Sequence, residues 1–385
     1  MSEAMREVGE MTAEEYRAAI ADVVYLASCV VKDETPDKAR AAGMDPERLY
    51  TAADRHLLTG VTACALERAG ICDPAFTQAW TKAIRKEALF TTERAAVLAE
   101  LDRAGIWYAP LKGIVLKDCY PEFGLRQMSD NDILFDRTRS GDVRTIMETL
   151  GFETVKYVHS PYDEDSYYKE PVCHFEMHRS LFKPNSGRMY DYYRDIKSRL
   201  LKDTDNACGY HFSDEDFYLY MIAHEYKHYT LGGTGLRSLL DTFVFLRAFD
   251  GRLDADYIHR ELEKLRLTDF EGQNRSLALH LFGGEPLTKA DGEMLDFILA
   301  SGTYGTRANR VIYGIKQYGT GRRGKLRYVY HRLVLPADVV KSMYPLFWKV
   351  PILLPLLPLW RGYKLFSVYR SGLITAEIKA LWKMK

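Results

Sequence analysis

The sequence is poor in cysteine and lacks any cysteine pair at a metal-binding spacing. Its 385 residues contain six cysteines, scattered and without a Cys-x-x-Cys motif. This pattern excludes a zinc ribbon and a disulfide framework as organising features. The first residues also lack a basic start followed by an apolar core, so no signal peptide is predicted. Together these absences predict a cytoplasmic protein with reduced thiols.

The sequence also lacks an apolar run long enough to cross a membrane. Its most apolar stretch, residues 344–360, is shorter than the roughly twenty residues that a span requires. That stretch also contains Lys349 and helix-breaking prolines at positions 351, 355 and 358. A transmembrane helix is therefore not predicted, although contact with a membrane surface remains an alternative.

The formal net charge is zero, but the charges are unevenly distributed along the chain. Residues 301–385 contain sixteen Lys and Arg against only Asp338 and Glu377, a local charge of about +14. This region is predicted to contact a polyanion, an anionic membrane or an acidic partner domain. Two interpretations stay open, namely a peripheral contact at the inner membrane surface and packing against the acidic amino-terminal part of the chain.

Composition shifts and helix-capping patterns divide the chain into four regions. Thr12 with Glu15, Asp45 with Pro46, and Asp73 with Pro74 are typical helix starts. We predict an amino-terminal helical region (1–105), a compact unit of short strands and helices (106–210), a helical domain lining a cleft (211–300) and a basic, partly apolar carboxyl-terminal region (301–385).

The stretch from residue 106 to residue 135 carries the clearest chemical pattern. It predicts a strand over 106–111, a turn at Lys112-Gly113, a short helix over 114–120 and a second strand over 129–135. Asp130 and Asp132 lie two residues apart, so they share one face of the second strand. Two adjacent carboxylates favour a cation such as Mg²⁺, with Mn²⁺ as the alternative. A Gly turn at a helix start offers backbone N–H groups to phosphate. The stretch therefore predicts a site for a metal-bound nucleoside triphosphate.

Two later segments add ionisable groups. Residues 172–178 alternate like a strand, with His174, Glu176 and His178 on one face. Burying three such groups without partners is costly, so this face is expected to meet water, metal or substrate. Residues 159–170, which precede it, are predicted as a loop or a hairpin.

The third segment is a helix that begins after Ser213 and carries His224 and His228. These residues match the His-Glu-x-x-His pattern of zinc proteases, which makes a zinc hydrolase one alternative. The only candidate for a third zinc ligand is Asp241, and its spacing fits no such protease. A hydrogen-bonded polar cluster between helices is the other alternative.

The motifs Leu111-Lys112-Gly113, Gly124-x-Arg126 and Met128-x-Asp130-x-Asp132 resemble a bacterial family of uncharacterised nucleotidyltransferases. That family belongs to the superfamily built on the DNA polymerase β palm. The resemblance implies an α+β fold, with a small mixed sheet as the palm and helical regions on both sides. The turn departs from the superfamily, where Gly-Ser is common in place of Lys112-Gly113.

The resemblance also implies roles for individual residues. The metal-binding and catalytic residues are expected to be Asp130, Asp132 and Glu176. The nucleotide is expected to be held by Lys112, Gly113, Arg126 and Ser129. The substrate cleft is expected to be lined by His178, His224, His228, Arg237 and Asp241.

The implied activity is transfer of a nucleoside monophosphate group from a triphosphate such as ATP to a hydroxyl acceptor. That acceptor is a sugar, a small metabolite or a protein. Members of the family are often encoded near surface-polysaccharide or peptide-modification pathways, so a glycan-related acceptor is expected. An inactive nucleotide-binding or regulatory protein with the same palm is the main alternative. No second nucleic-acid module is present, so a nucleic-acid partner is not expected.

Overall fold

A computed structural model describes residues 11–157, 162–303, 305, 321–335, 337, 340 and 344–368. Its amino-terminal part is helical, and the helix starts are those that the capping residues predicted. Thr12 and Glu15 form a reciprocal capping box, and Asp45 and Asp73 each accept hydrogen bonds from the first turn that follows them. The helices are α1 (Ala13–Val31), α2 (Lys38–Ala42), α3 (Pro46–Arg55), α4 (Thr59–Arg68) and α5 (Pro74–Arg103).

A five-stranded mixed sheet follows α5. Its strands are β1 (Tyr108–Pro110), β2 (Asn131–Phe135), β3 (Glu153–Lys156), β4 (Glu164–Lys169) and β5 (Cys173–His178). They are arranged in the order β1-β2-β5-β4-β3, in which β2 and β5 are parallel and the other neighbours antiparallel. Two short helices, α6 (Gly113–Leu116) and α7 (Ser140–Thr149), connect the strands. The prediction of an α+β chain with a small mixed sheet is confirmed.

Several strand boundaries differ from the predicted ones. β1 covers only Tyr108–Pro110 of the strand predicted over 106–111. β2 begins at Asn131, so Ser129 and Asp130 precede the strand instead of opening it. Of the predicted loop or hairpin at 159–170, the structure describes residues 162–170, in which β4 pairs with both β3 and β5. The hairpin alternative for that segment is therefore confirmed.

The sheet has one buried face and one that faces the site. Cys173, Phe175 and Met177 of β5 and Ile133 of β2 belong to a core cluster shared with α5 and α7. Because strand side chains alternate, Asp132 and Glu176 project from the opposite face. The buried apolar side chains of each strand and its ionisable side chains therefore lie on opposite faces of the sheet.

The next six α-helices of the described chain follow the sheet. They are α8 (Arg188–Tyr193), α9 (Asp214–Leu231), α10 (Leu236–Ala248), α11 (Ala255–Leu265), α12 (Thr268–Gly283) and α13 (Lys289–Ser301), with a two-stranded ribbon of β6 (Leu201–Lys202) and β7 (Tyr210–His211) between α8 and α9. Two of them, α9 and α10, face the ionisable side of the sheet. Ser213 caps α9, as predicted. The turn between α9 and α10 needs glycine at position 233, where φ is +113° and an added Cβ would lie 1.9 Å from Ser301 Oγ.

Three further helices belong to the carboxyl-terminal region. They are α14 (Gly321–Leu333), α15 (Pro345–Lys349) and α16 (Leu357–Val368), with a 3₁₀ segment at Pro351–Leu356. α14 contacts α16. In the described part of the chain, no helix combines the length and the apolar character needed to cross a membrane.

Candidate active site

The two central parallel strands bring three carboxylates together. In the β2–β5 register Asp132 is directly opposite Glu176, and Asp130 lies one residue before β2. All three line a cavity of about 400 Å³ between the sheet and helices α9 and α10. A cavity of this size is typical of small-molecule sites.

Asp132 is held by two hydrogen-bonding partners at a single oxygen. Its Oδ1 accepts a hydrogen bond from Lys112 Nζ at 2.5 Å and lies 2.6 Å from His178 Nε2. Burial alone would raise the pKa of Asp132, but Lys112 and His178 hold that pKa well below its ordinary value. Asp132 is therefore a carboxylate at neutral pH.

Asp130 is in the opposite electrostatic situation. Burial and repulsion from Asp132 raise the pKa of Asp130 to about 7, although Lys112 acts in the other direction. At neutral pH this carboxyl group is only partly ionised, and a bound cation would favour its ionised form. The pair is thus arranged so that a divalent cation would relieve the repulsion between its members.

Ligand atoms for such a cation form two clusters. One consists of Asp130, His174 and Glu176, the other of Asp132, Glu176 and His178, and in each the potential ligand atoms lie within 4.8 Å of one another. Glu176 is common to both. His174 is oriented by Ser166, whose Oγ lies 2.6 Å from Nε2. The donor set suits a divalent metal, because it combines carboxylate oxygens with one imidazole nitrogen per cluster.

Arg126 is engaged by a buried ion pair. Its Nε and Nη2 donate to the two oxygens of Asp241 at 2.7 and 2.8 Å, and the Tyr120 hydroxyl donates to Oδ1 at 2.8 Å. All three side chains are buried. The charge of Arg126 is therefore already balanced within the protein, which leaves it less suited to the predicted contact with a triphosphate.

Gly113 makes this ion pair possible. A Cβ at this position would lie 2.3 Å from Arg126 Nη1 and 3.3 Å from Met128 Cγ. The N–H groups of Ile114 and Val115, which follow the Lys112–Gly113 turn, bond to the carbonyls of residues 111 and 112. The structure thus gives a steric reason for glycine at position 113, namely the close approach of the Arg126 side chain, which the sequence alone does not show.

Replacing Gly113 by Ala is expected to lower the free energy of unfolding by about 1–3 kcal/mol, because the guanidinium of Arg126 must move away from Asp241. Urea denaturation measures this change. Gly141→Ala is the matched control, since that helical position has no atom within 4 Å of the added Cβ. The control is expected to be neutral or stabilising. Equal effects at both positions would contradict the steric role of Gly113.

Arg237 offers a cation that is not balanced in this way. Its Nη1 donates to the backbone carbonyl of Gln127 at 2.5 Å, and it lines the cavity. Among the described residues, no carboxylate forms an ion pair with it. Burial and the nearby Arg126 lower the pKa of Arg237, although Asp241 and Asp130 act in the other direction, so its positive charge is only partly compensated. An anionic ligand in the cavity would supply that compensation.

The histidines of α9 form a second polar wall. Tyr220, His224 and His228 recur every four residues and share a helix face, and the Nε2 atoms of the two histidines are 3.1 Å apart. Burial lowers the pKa of both, that of His228 to about 4. Both imidazoles are therefore neutral at pH 7, one donating a hydrogen bond to the other.

The zinc-hydrolase alternative finds no support in this geometry. Within the described ranges, neither three-residue metal cluster includes His224 or His228. Asp241 is occupied by Arg126, so it does not provide a third ligand. Glu225 accepts a hydrogen bond from Asn274 at 2.9 Å and is buried.

The structure brings the predicted site residues together. Those that line the cavity are Lys112, Gly113, Arg126, Ser129, Asp130, Asp132, Glu176, His224, His228, Arg237 and Asp241. His178 contacts Asp132 from β5. Sequence reasoning missed Tyr220, Thr234 and Ser238 as lining residues. The four-residue spacing before His224 marks Tyr220, whereas no sequence signal marks the other two.

Comparison with known proteins identifies a family that the chain matches. A family described as uncharacterised nucleotidyltransferases matches residues 42–283, which is more than half of the chain and includes every residue of the cavity wall named so far. No curated protein and no solved structure matches the chain.

Proposed function

The chain belongs to this family of uncharacterised nucleotidyltransferases, and we propose that it transfers a nucleoside monophosphate group from a triphosphate to a hydroxyl acceptor. The observation that carries the proposal is the pairing of Asp132 with Glu176 across parallel strands, with Asp130 beside them in the cavity. On this proposal the mixed sheet is a palm of the polymerase β kind. The order of strand β1, turn, helix α6, strand β2 and later strand β5 supports that assignment.

A divalent cation held by Asp130, Asp132 and Glu176 would polarise the α-phosphate and stabilise the departing pyrophosphate. The acceptor oxygen forms a bond to the α-phosphorus as the bond to the β-phosphate oxygen breaks, and the acceptor proton passes to a base. Positively charged side chains of the protein would balance the negative charge of the triphosphate. Arg237 is the cation best placed to neutralise the triphosphate, since Arg126 is paired with Asp241.

Lys112 has two possible partners in this scheme. In the structure its ammonium group contacts Asp132, where it compensates the carboxylate charge. Burial alone would lower the pKa of Lys112, but Asp132 raises it above its ordinary value, so the side chain remains charged. When a cation occupies Asp132, that ammonium group is free to contact the triphosphate, with Ser129 nearby on the same wall.

The acceptor would occupy the α9 side of the cavity. His228 is neutral, so its imidazole is able to hydrogen-bond with the acceptor hydroxyl. Glu225 Oε2 is buried and makes no hydrogen bond with a described residue, which leaves an acceptor atom for a ligand hydroxyl. A wall with two imidazoles and a spare carboxyl oxygen suits a polyhydroxylated acceptor such as a sugar, in agreement with the expected glycan-related substrate.

The metal clusters lead to a prediction about metal choice between Mg²⁺ and Mn²⁺. Each cluster contains one imidazole, a ligand that favours Mn²⁺ over Mg²⁺. We expect Mn²⁺ to bind more tightly, and His178→Asn to weaken Mn²⁺ binding by about tenfold or more. Electron paramagnetic resonance of free Mn²⁺ measures the affinity. His259→Asn, on the exposed surface of α11, is the control. Equal affinity for both metals, or an unaltered affinity in His178→Asn, would argue against imidazole ligation.

The proposed activity is tested by pyrophosphate release. The purified protein is incubated with ATP, GTP, CTP or UTP, with Mg²⁺ or Mn²⁺, and with a panel of sugar acceptors. Pyrophosphate that appears only with an acceptor, together with a nucleotidylated product of the matching mass, supports the proposal. Nucleotide binding without pyrophosphate release from any acceptor would favour the alternative of a binding or regulatory protein with the same fold.

A further inference from the structure

The carboxyl-terminal helices expose large apolar side chains. Ile352 is 81% exposed, Leu359 71%, Leu326 70%, Tyr363 70% and Leu346 64%. They are joined by other exposed apolar or aromatic residues, namely Val329, Tyr330, Trp348, Val350 and Leu356. We call this set the carboxyl-terminal surface. Exposed apolar side chains so concentrated within one region mark an interaction site more often than a solvated surface.

The helices that carry this surface pack on one another. α14 contacts α16, the 3₁₀ segment contacts α15 and α16, and Leu357 is buried. By contrast, neither of the two main core clusters contains a described residue beyond Leu299. Packing against the acidic amino-terminal part of the chain therefore does not cover the carboxyl-terminal surface in the described structure.

The same helices are strongly basic. Residues 321–335 and 344–368 contain eight Lys and Arg and no Asp or Glu. Arg323, Arg327 and Lys349 are exposed alongside the apolar side chains. Cations next to Trp, Tyr and aliphatic side chains are the composition of segments that lie in the interface of an anionic bilayer.

We propose that the carboxyl-terminal surface docks on an anionic lipid membrane. Its aliphatic side chains would enter the boundary between headgroups and acyl chains, and the cations would contact the lipid phosphates. The contact lies on the membrane surface, because no described helix is able to span a bilayer. The proposal is independent of the proposed nucleotidyl transfer.

Two other occupants fit the surface less well. A nucleic acid would engage the cations, but its phosphate backbone gives no gain for burying Ile352, Leu359 and Leu346. A second copy of the chain would place two strongly positive surfaces against each other, which like-charge repulsion disfavours. An anionic membrane satisfies both the apolar and the basic component.

The test is flotation of the full-length protein with vesicles of phosphatidylcholine, either alone or mixed with phosphatidylglycerol. We expect binding to the mixed vesicles that weakens with salt, and little binding to phosphatidylcholine alone. Ile352→Glu with Leu359→Glu is expected to reduce the partition coefficient about tenfold or more, as is Arg323→Glu with Arg327→Glu and Lys349→Glu. Val155→Glu changes a 64% exposed apolar residue on β3 in the same way and serves as the control; it should bind like the unaltered protein.

Circular dichroism and thermal melting test whether each variant is folded. We expect all of them to fold, because the altered residues are exposed. The proposal is overturned if the folded protein does not float with anionic vesicles, or if both sets of substitutions bind as well as Val155→Glu. It is also overturned if the chain prefers a DNA or RNA oligonucleotide to the vesicles and only the charge substitutions remove its binding.

Discussion

Asp132→Asn is expected to lower kcat/KM for nucleotidyl transfer by about a thousandfold or more, the scale set by losing one preorganised charge in a catalytic site. Oδ1 of Asp132 is the atom on which Lys112 and His178 converge, and Glu176 lies directly opposite on β5. The asparagine amide has nearly the same shape but no negative charge, so it retains little affinity for a divalent cation. Steady-state kinetics of pyrophosphate release provide the measurement.

Asp118→Asn is the control for this prediction, because the Asp118 side chain is 74% exposed and lies outside the cavity. It is expected to retain full activity. Asp132→Asn also removes the carboxylate that balances Lys112, so its folding must be verified by circular dichroism. A folded Asp132→Asn variant with near-normal turnover would place the catalytic metal elsewhere.

The largest effect on stability is expected at the buried ion pair. Asp241→Asn leaves the guanidinium of Arg126 without a carboxylate in a buried environment, which typically costs about 3–5 kcal/mol. Burial alone would lower the pKa of Arg126, yet Asp241 raises it above its ordinary value, so the guanidinium stays charged at any accessible pH. The free energy of unfolding from chemical denaturation measures the loss.

An exposed ion pair provides the comparison. Asp296→Asn removes a partner of Arg17 at a similar separation of 2.8 Å, but both side chains are more than half exposed. Such pairs contribute at most about 1 kcal/mol. If the two substitutions lowered stability equally, burial would not be the source of the effect, and the role assigned to the Arg126–Asp241 pair would be wrong.

Local sequence patterns predicted much of the site because the relevant geometry is local. Strand alternation placed His174, Glu176 and His178 on one face, and the caps at Thr12, Asp45, Asp73 and Ser213 fixed the starts of four helices. The sequence did not decide between a loop and a hairpin at β4, because Glu164–Lys169 is polar and tyrosine-rich and lacks clear alternation of apolar side chains.

The contacts of the site that local patterns did not predict join distant parts of the chain. Arg126 pairs with Asp241, 115 residues later, and no local pattern reveals such a partner. The Lys112 side chain reaches Asp132 across the β1–β2 turn region. Because Arg126 is paired with Asp241, we propose that Arg237, whose guanidinium donates to the backbone carbonyl of Gln127, contacts the triphosphate in its place.

We propose that the Asp130–Asp132–Glu176 site binds a metal-bound nucleoside triphosphate. Isothermal titration calorimetry tests it most directly, with ATP, GTP, CTP and UTP titrated into the unaltered protein and into Asp130→Asn/Asp132→Asn, with and without Mg²⁺ or Mn²⁺. We expect at least one triphosphate to bind to the unaltered protein only when the cation is present, and the double variant to bind none. A folded protein that binds no triphosphate, or a double variant that binds as tightly as the unaltered protein, would contradict the claim.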